Sequence, residues 1–395
     1  MTATRTAPDA DALGLRVGDL VEVRGEAEIL ATLDERGELE GLPFMPEMLA
    51  YCGRRLTVHK VAHKVCDTIG RSGMRRMERA VHLTGARCDG SAHGGCQTAC
   101  LMYWKEAWLR RIDPDAPPEP GAPADPVGAS PGAAVPGRGD GSFAALGALG
   151  SAVPSGPAPS GAASGPAVSS GSAPEPAVPP GPAPGRRLLP LLEAAARKEP
   201  GPDGEERFSC QGTEMLRAAP SCLPLKDVRQ YVMDVRTGNA GPLFVLRALL
   251  IGIFNRVQDR SRKLPGWLRF RDGMRWGFVA GRLTGATPGA TLDLRPGELV
   301  RIKSKAEILR TLNQDRLNRG MGFDEEMSRY CGRTARVLSR VDRCIDERTG
   351  RMLTMKSPCI VLEGIVCAGA YTVSCPRAFI PFWREIWLER VEGPA

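Results

Sequence analysis

The chain has 395 residues and a formal net charge of +8, from 53 lysine and arginine residues against 45 aspartate and glutamate residues. It contains 46 glycines and 34 prolines, yet 42% of its residues are hydrophobic, which excludes collagen, a coiled coil and a wholly disordered chain. The charge is small for this length. It permits contact with nucleic acid or an anionic membrane without arguing for either.

Residues 1–14 contain no apolar run of the kind that a secretory signal requires, and we predict a disordered N-terminus there. The longest apolar stretch, residues 243–254, is interrupted by Arg247 and is shorter than the about 20 residues that cross a bilayer. We therefore expect a cytoplasmic protein with no transmembrane segment, and contact with a membrane surface is not favoured. In a reducing compartment, 12 cysteines favour metal binding or catalysis over disulfides.

Residues 15–112 form the first predicted module. Alternating residues at 20–24 predict a half-buried strand, and Pro46 suits the first turn of a short helix. Further strands are predicted at 55–61, 79–83 and 103–109. Several short strands and helical turns in so short a segment predict a small, partly open β-barrel of SH3-like type.

The densest cluster of candidate ligands in this module is Cys88, His93, Cys96 and Cys100, on a loop with three glycines. Thiolates bind zinc, copper(I) and iron–sulfur clusters, and glycine lets backbone N–H groups approach the sulfurs. Cys66, from a neighbouring loop, is the predicted fourth thiolate, and His93 competes with it for that position. The alternative is that these cysteines are reduced, buried and inert.

The spacing of the cysteines bears on the metal. Zinc ribbons and fingers use Cys-x2-Cys pairs, and no such pair occurs in this chain. The spacing therefore favours an iron–sulfur cluster as the cofactor, with zinc as the alternative.

Two different segments follow the first module. Residues 113–185 contain 18 of the 34 prolines and predict a disordered linker, because such a composition buries too little apolar surface to offset the entropy of ordering. Residues 186–295 show helical spacing of apolar residues and predict a mostly helical middle region.

Residues 296–395 form a second predicted module, a diverged copy of the first. At a constant offset of 279 positions, residues 51–54 recur as residues 330–333, and Trp108 and Leu109 recur as Trp387 and Leu388. In this copy Ser304 and Glu307 have the spacing of a capping box at the start of a helix. The predicted fold class is thus α+β, with two barrel modules joined by a linker and a helical region.

The second copy has Thr372 at the position of His93 and Phe379 at the position of Cys100. Because two candidate ligands are lost, we expect the second copy to serve as a scaffold or docking surface. The alternative is a second metal site, and its candidate ligands are Cys344, Cys359, Cys367 and Cys375.

Five strings carry a resemblance to a known family: residues 42–48 (LPFMPEM), residues 64–68 (KVCDT), the cluster at 88–100, residues 358–364 (PCIVLEG) and residues 382–387 (FWREIW). They are similar to an uncharacterised bacterial family of tandem cysteine-containing modules, and this resemblance implies the layout of the domains but no activity. Cys88-Asp89-Gly90-Ser91, followed by His93, also resembles the CDGSH iron–sulfur signature, which implies an iron–sulfur cluster.

These observations favour a cytoplasmic iron–sulfur protein that serves as a redox accessory or a cluster-dependent enzyme in small-molecule metabolism. Its expected partner is a protein or a small-molecule substrate. The alternative is a zinc-stabilised module that binds nucleic acid or scaffolds proteins without catalysis. Nucleic acid is the less favoured partner, because the basic run from Arg71 to Arg79 lacks the aromatic residues that stack on bases. No catalytic residue and no reaction are predicted.

Overall fold

The computed structural model describes residues 13–113, 185–277 and 281–391. The predicted N-terminal segment 1–14 and the predicted linker 113–185 lie almost wholly outside these residues. The described chain is a mixed α+β structure, as the sequence predicts, and most of its strands pair antiparallel. Among the described helices, none is both long and apolar enough to cross a membrane.

The first module is built on a five-stranded antiparallel sheet with the strand order β8-β7-β4-β1-β9. Its single α-helix is α1 (Glu26–Leu30), and 3-10 helices span Pro46–Tyr51 and Glu106–Trp108. Its strands are β1 (Leu20–Val23), β2 (Glu38–Leu39), β3 (Leu42–Pro43), β4 (Arg55–Val61), β5 (Lys64–Cys66), β6 (Met74–Arg76), β7 (Ala80–Arg87), β8 (Leu101–Lys105) and β9 (Leu109–Arg111).

The first sheet curls into a half-barrel, and its connectivity explains why. Strands β8 and β9 lie at opposite edges of the sheet, yet only the 3-10 helix Glu106–Trp108 separates them in the chain. Three residues of 3-10 helix rise about 6 Å, whereas the edges of a flat five-stranded sheet are about 19 Å apart. The two edges must therefore approach each other.

The prediction of one continuous strand at 103–109 is wrong. Strand β8 ends at Lys105, the 3-10 helix Glu106–Trp108 follows, and β9 begins at Leu109. Trp108 is the last residue of this helix; its side chain is fully buried, and its Nε1 donates to Thr32 Oγ1 at 3.0 Å. Phe44 packs edge-on against Trp108, with ring centroids 5.1 Å apart.

In its described residues, the middle region combines four α-helices with three short strands. Strand β12 pairs with β6 of the first module, and the side chain of Asn239 bonds both backbone groups of Val61, at 2.8 and 2.7 Å. These contacts attach the middle region to the first module. The elements are α2 (Gly185–Ala195), β10 (Arg197–Lys198), β11 (Arg207–Phe208), α3 (Met215–Ala218), β12 (Cys222–Leu223), α4 (Arg229–Arg236) and α5 (Pro242–Ser261).

Helix α5 carries Leu243, Leu246 and Leu250 on one face, and it buries the opposite face. Val245, Ala248 and Ile251 are buried, whereas Leu243 and Leu250 on the other side are 81% and 57% exposed. The spacing of the leucines correctly indicates a helix, but apolar residues occur on both sides of it. Periodicity alone therefore does not identify the buried side.

The second module contains a four-stranded sheet with the order β17-β16-β13-β18. Several of its elements lie 279 positions after those of the first module: β13 follows β1, β14 follows β2, and β18 follows β9 at this distance. The predicted capping box is present, since Glu307 N donates to Ser304 Oγ at 3.3 Å and Ser304 N donates to Glu307 Oε2 at 2.9 Å. The elements are β13 (Leu299–Ile302), α6 (Lys305–Leu309), β14 (Leu317–Asn318), β15 (Met321–Gly322), α7 (Glu325–Ser328), β16 (Thr334–Ile345), β17 (Met352–Leu362) and β18 (Leu388–Arg390).

Candidate metal centre

The predicted ligand loop connects β7 to β8 and is closed at its base by a backbone hydrogen bond from Cys88 N to Cys100 O, 2.9 Å long. Gly90 adopts the left-handed conformation, with a φ of 75°. Its carbonyl accepts from His93 N at 3.1 Å, and a Cβ at this position would lie 2.1 Å from Cys96 O. Only glycine permits this close approach, which folds the loop so that Cys88, His93 and Cys96 converge.

Glu47, Cys88 and His93 have donor atoms within 4.8 Å of one another, and within the described ranges this is the group with such geometry. His93 lies between the other two. Its Nε2 is 3.4 Å from Cys88 Sγ, and its Nδ1 is 3.0 Å from Glu47 Oε1. Glu47 is the second residue of the 3-10 helix Pro46–Tyr51, which Pro46 begins as predicted, and its Oε1 also accepts from Ala92 N at 3.2 Å. Metal-ligating histidines commonly use one ring nitrogen for the metal and the other for a carboxylate in this way.

Cys96 approaches the same imidazole from the far end of the loop. Its Sγ accepts a hydrogen bond from Ile345 N of the second module at 3.4 Å and lies 3.2 Å from Thr98 Oγ1. Burial alone would raise the pKa of Cys96, but the interactions with His93 and Thr98 outweigh it and lower that pKa. Burial alone would likewise lower the pKa of His93, yet Cys88, Cys96 and Glu47 together raise it. These shifts favour the protonated imidazole of His93 and the thiolate of Cys96, relative to the same groups in water.

A cavity of about 260 Å³ lies beside the loop. Burial raises the pKa of Cys88, Cys100 and Cys210, so these thiols are held neutral until a cation reaches them. Five thiols and one imidazole line the cavity: Cys88, His93, Cys96, Cys100, Cys210 and Cys344.

Cys210 reaches this cavity from the middle region because its neighbour Gln211 is inserted against β8. Gln211 Nε2 donates to Pro43 O at 3.0 Å and to Tyr103 O at 2.9 Å, and Gln211 Oε1 accepts from Tyr103 N at 2.8 Å. The amide side chain thus replaces a strand partner at this point. It fixes the thiol of Cys210 near Cys88 and His93, with which it interacts electrostatically.

Cys66, the predicted fourth thiolate, lies elsewhere. Its backbone N–H donates to Cys375 Sγ at 3.4 Å, and its side chain packs with Met74, Leu223 and Val373. Strand β5 ends at Cys66 and directs it toward the second module, away from the loop at 88–100. The sequence predicted that Cys66 lies on a loop next to the loop at 88–100. The hairpin of β5 and β6 instead places Cys66 against Cys375 of the second module.

The predicted second set of ligands is also divided. Cys344 lines the cavity of the first module, whereas Cys359 pairs with Val341 on the β16–β17 hairpin. Because Cys344 lies three residues beyond Val341, the two thiols are separated by about 10 Å of strand. Cys359 instead contacts Met355 Sδ at 3.1 Å, and Cys367 and Cys375 lie on the loop after β17. In the described part of the chain, these four cysteines form no group with converging donors.

Sequence analysis did not identify Glu47 and Cys210. Glu47 has a weak signal, because it recurs as Glu326 in the second module at the shared offset of 279. Cys210 has none, since the contact of Gln211 with β8 spans 108 positions of the chain.

Comparisons with protein-family models, with curated proteins and with solved structures give no match for this chain. The chemistry of the site therefore rests on its own geometry. Soft thiolates and an imidazole around one cavity form a donor set that suits zinc, iron or copper(I) and does not suit magnesium or calcium.

Proposed function

We propose that this chain is a metal-binding protein with an iron–sulfur cluster in the cavity beside the loop at 88–100. The observation that carries the proposal is that five thiols and His93 line one cavity of about 260 Å³. A single zinc ion needs at most four ligands, so this wall offers more sulfur than zinc uses. Iron–sulfur clusters are larger and are held by four thiolates.

In this proposal Cys88, Cys96, Cys100 and Cys210 supply the thiolates. His93 lies against Cys88 and Cys96 and supplies a hydrogen bond to sulfur, and Glu47 orients the ring. Hydrogen bonds to the sulfurs and the exclusion of solvent tune the reduction potential of such clusters. The bound group would therefore serve electron transfer as a redox accessory, or the chemistry of a cluster-dependent enzyme acting on a small molecule.

The remaining expectations belong to the same proposal. We assign both modules to the SH3-like class, and the half-barrel sheet with its 3-10 connection between edge strands supports this assignment. We also assign the chain to the bacterial family of tandem cysteine-containing modules and to the cytoplasm, where reduced thiols are available for a metal.

Zinc is the second candidate, and one observation favours it. Cys88, His93 and Cys96 provide two thiolates and one imidazole, a donor set that zinc enzymes complete with water in the fourth position. A zinc site would make the first module a stabilised binding module, with protein or nucleic acid as its partner.

The deciding experiment is anaerobic purification of the full chain, followed by absorption spectroscopy and assays of iron, acid-labile sulfide and zinc. A brown protein with iron and sulfide in equal amounts supports the cluster. A colourless protein with one zinc per chain supports the second candidate. A protein that binds neither metal, even after reconstitution with iron and sulfide or with zinc, would exclude both.

A further inference from the structure

Two of the contacts between the modules are equivalent. At the first, Ile345 N donates to Cys96 Sγ at 3.4 Å, and at the second, Cys66 N donates to Cys375 Sγ at 3.4 Å. The donor positions 66 and 345 are 279 residues apart, as are the acceptor positions 96 and 375. Each module thus presents one cysteine sulfur to the end of a strand in the other module.

The two contacts differ in one respect. The first places the side chain of Ile345 near the sulfur, whereas the second places a thiol there, so that Cys66 and Cys375 hydrogen bond to each other. The pair spans 309 positions of the chain and lies among Met74, Leu223 and Val373. Cys66 is absent from the wall of the thiol-lined cavity, and so is Cys375.

The surroundings of the pair distinguish its two sulfurs. The hydrogen bond with Cys66 lowers the pKa of Cys375, and backbone N–H groups of Arg377 and Cys66 act in the same direction. The same hydrogen bond, together with burial, raises the pKa of Cys66. The shared hydrogen bond therefore favours the thiolate at Cys375 over a thiolate at Cys66, the order of an attacking and a resolving cysteine.

Cys66 is the side of the pair that lies nearer to solvent. It is partly exposed, whereas Cys375 is buried, and Thr68, two residues further along the chain, lines a surface cleft of about 620 Å³. Both modules line this cleft, the first through Thr68 and Arg71 and the second through Ile345 and Arg348.

We propose that Cys66 and Cys375 are a peroxide-reactive dithiol that closes into a disulfide between the two modules. The Cys375 thiolate attacks one oxygen of hydrogen peroxide, an S–O bond forms, the O–O bond breaks, and the departing hydroxide takes up a proton to become water. Cys66 then gives up its proton and attacks the Cys375 sulfur. The S–S bond forms, the S–O bond breaks, and a second water leaves. Two thiols are oxidised by two electrons, and one peroxide is reduced to two waters.

The test treats the full, metal-loaded chain with hydrogen peroxide, digests it without reduction and maps the peptides by mass spectrometry. The expected product is one linked pair of peptides that contain Cys66 and Cys375, lighter than the separate peptides by two hydrogens and separated again by dithiothreitol. Cys66→Ser should abolish this link and leave a sulfenic acid at Cys375 that dimedone labels. The control Cys331→Ser, a half-buried thiol of the second module, should form the link as the wild type does.

Two results would overturn the proposal. One is peroxide treatment that oxidises other cysteines of the wild-type chain while Cys66 and Cys375 remain unlinked. The other is loss of metal in a folded Cys66→Ser protein, because that would make Cys66 a ligand. Since the linked peptides are sought in the wild-type protein, the test does not depend on whether a variant folds. The link between Cys66 and Cys375 is also distinct in mass from links among the cavity cysteines, which peroxide would free from an iron–sulfur cluster.

Discussion

Thr68 hydrogen bonds to Glu347, and the two residues occupy the same position in the two modules, 279 residues apart. Arg377 joins them, since it donates to Thr68 Oγ1 at 3.0 Å and also to Glu347. Contact between equivalent positions is the mark of an isologous interface, here formed within one chain. The modules are thus arranged like the halves of a two-fold dimer, and each supplies a backbone donor to a cysteine sulfur of the other.

The first prediction concerns the identity of the ligands. We expect Cys88→Ala, Cys96→Ala and Cys210→Ala each to lose most of the bound metal, because each removes a thiolate from the cavity wall. Cys52→Ala and Cys66→Ala should retain it, since neither residue lines the cavity. Metal analysis after anaerobic purification measures the outcome. Full retention in the first three variants would refute the site.

The second prediction concerns Glu47. Glu47→Gln should weaken metal affinity about 10–100-fold, because the carboxylate that orients His93 becomes a neutral amide. Competition with a chelator measures the affinity. The matched control is Glu326→Gln at the equivalent position of the second module, where Thr372 replaces the histidine. Equal loss in both variants would assign Glu47 a role in folding alone.

The third prediction separates close packing from backbone strain in the ligand loop. Gly90 and Gly85 have nearly equal φ values of 75° and 74°, but a Cβ on Gly85 would meet nothing within 4 Å. Gly85→Ala should therefore cost only the left-handed conformation, about 1–2 kcal/mol. Gly90→Ala would force its Cβ into the backbone of Cys96, and we expect it to cost more and to release the metal. Thermal unfolding and metal analysis compare the two, and similar results for both would contradict the packing argument.

The fourth prediction concerns the ion pair between Lys64 Nζ and Asp234 Oδ2, which are 2.6 Å apart and fully buried. Lys64→Met should destabilise the chain by about 3–5 kcal/mol, because it leaves the charge of Asp234 without this partner. The double variant with Asp234→Leu should recover most of the loss. Urea unfolding gives the free energies. A double variant as unstable as the single one would show that the methylene packing of Lys64 matters more than its charge.

The fifth prediction concerns pH. Burial lowers the pKa of His82 to about 3 and that of His59 to about 4, from an ordinary value of 6.5. The stability linked to each neutral ring is therefore complete above pH 6.5 and falls as the pH drops toward the folded pKa, because only the unfolded chain takes up the proton. Each ring contributes a slope of about 1.4 kcal/mol per pH unit below 6.5.

The variant that tests this slope is His82→Gln, whose amide can replace the hydrogen bond to Met102 O, 3.0 Å from Nδ1. Free energies of unfolding between pH 6.5 and 5 should decline less steeply in this variant than in the wild type, by the slope of one histidine. Equal slopes in both proteins would show that His82 is protonated in the folded chain.

The features that the sequence predicted correctly are local. Pro46 begins the 3-10 helix as expected, Ser304 and Glu307 form the capping box, and Cys88 and His93 converge on one glycine-rich loop. Each depends on residues a few positions apart, and short spacing restricts the geometry strongly.

The features that the sequence did not predict depend on long-range packing. Cys210 enters the cavity because Gln211 pairs with β8, and Cys66 leaves the cavity because its hairpin meets the second module. Neither placement follows from the spacing of the cysteines, because each depends on a contact between parts of the chain that are far apart in sequence. In the proposed ligand set, Cys210 accordingly takes the place of Cys66.

The insertion of Gln211 beside β8 also sets an order for the synthesis of this protein. When the ribosome has completed the first module at residue 112, Cys88, His93, Cys96 and Cys100 are in place, but Cys210 lies 98 residues further along the chain. The N–H group of Ile345 that contacts Cys96 comes later still. If domains fold as they emerge, the nascent first module exposes an incomplete group of reactive thiols to the cell. Stable loading of the metal then becomes a late event, which follows the arrival of the middle region.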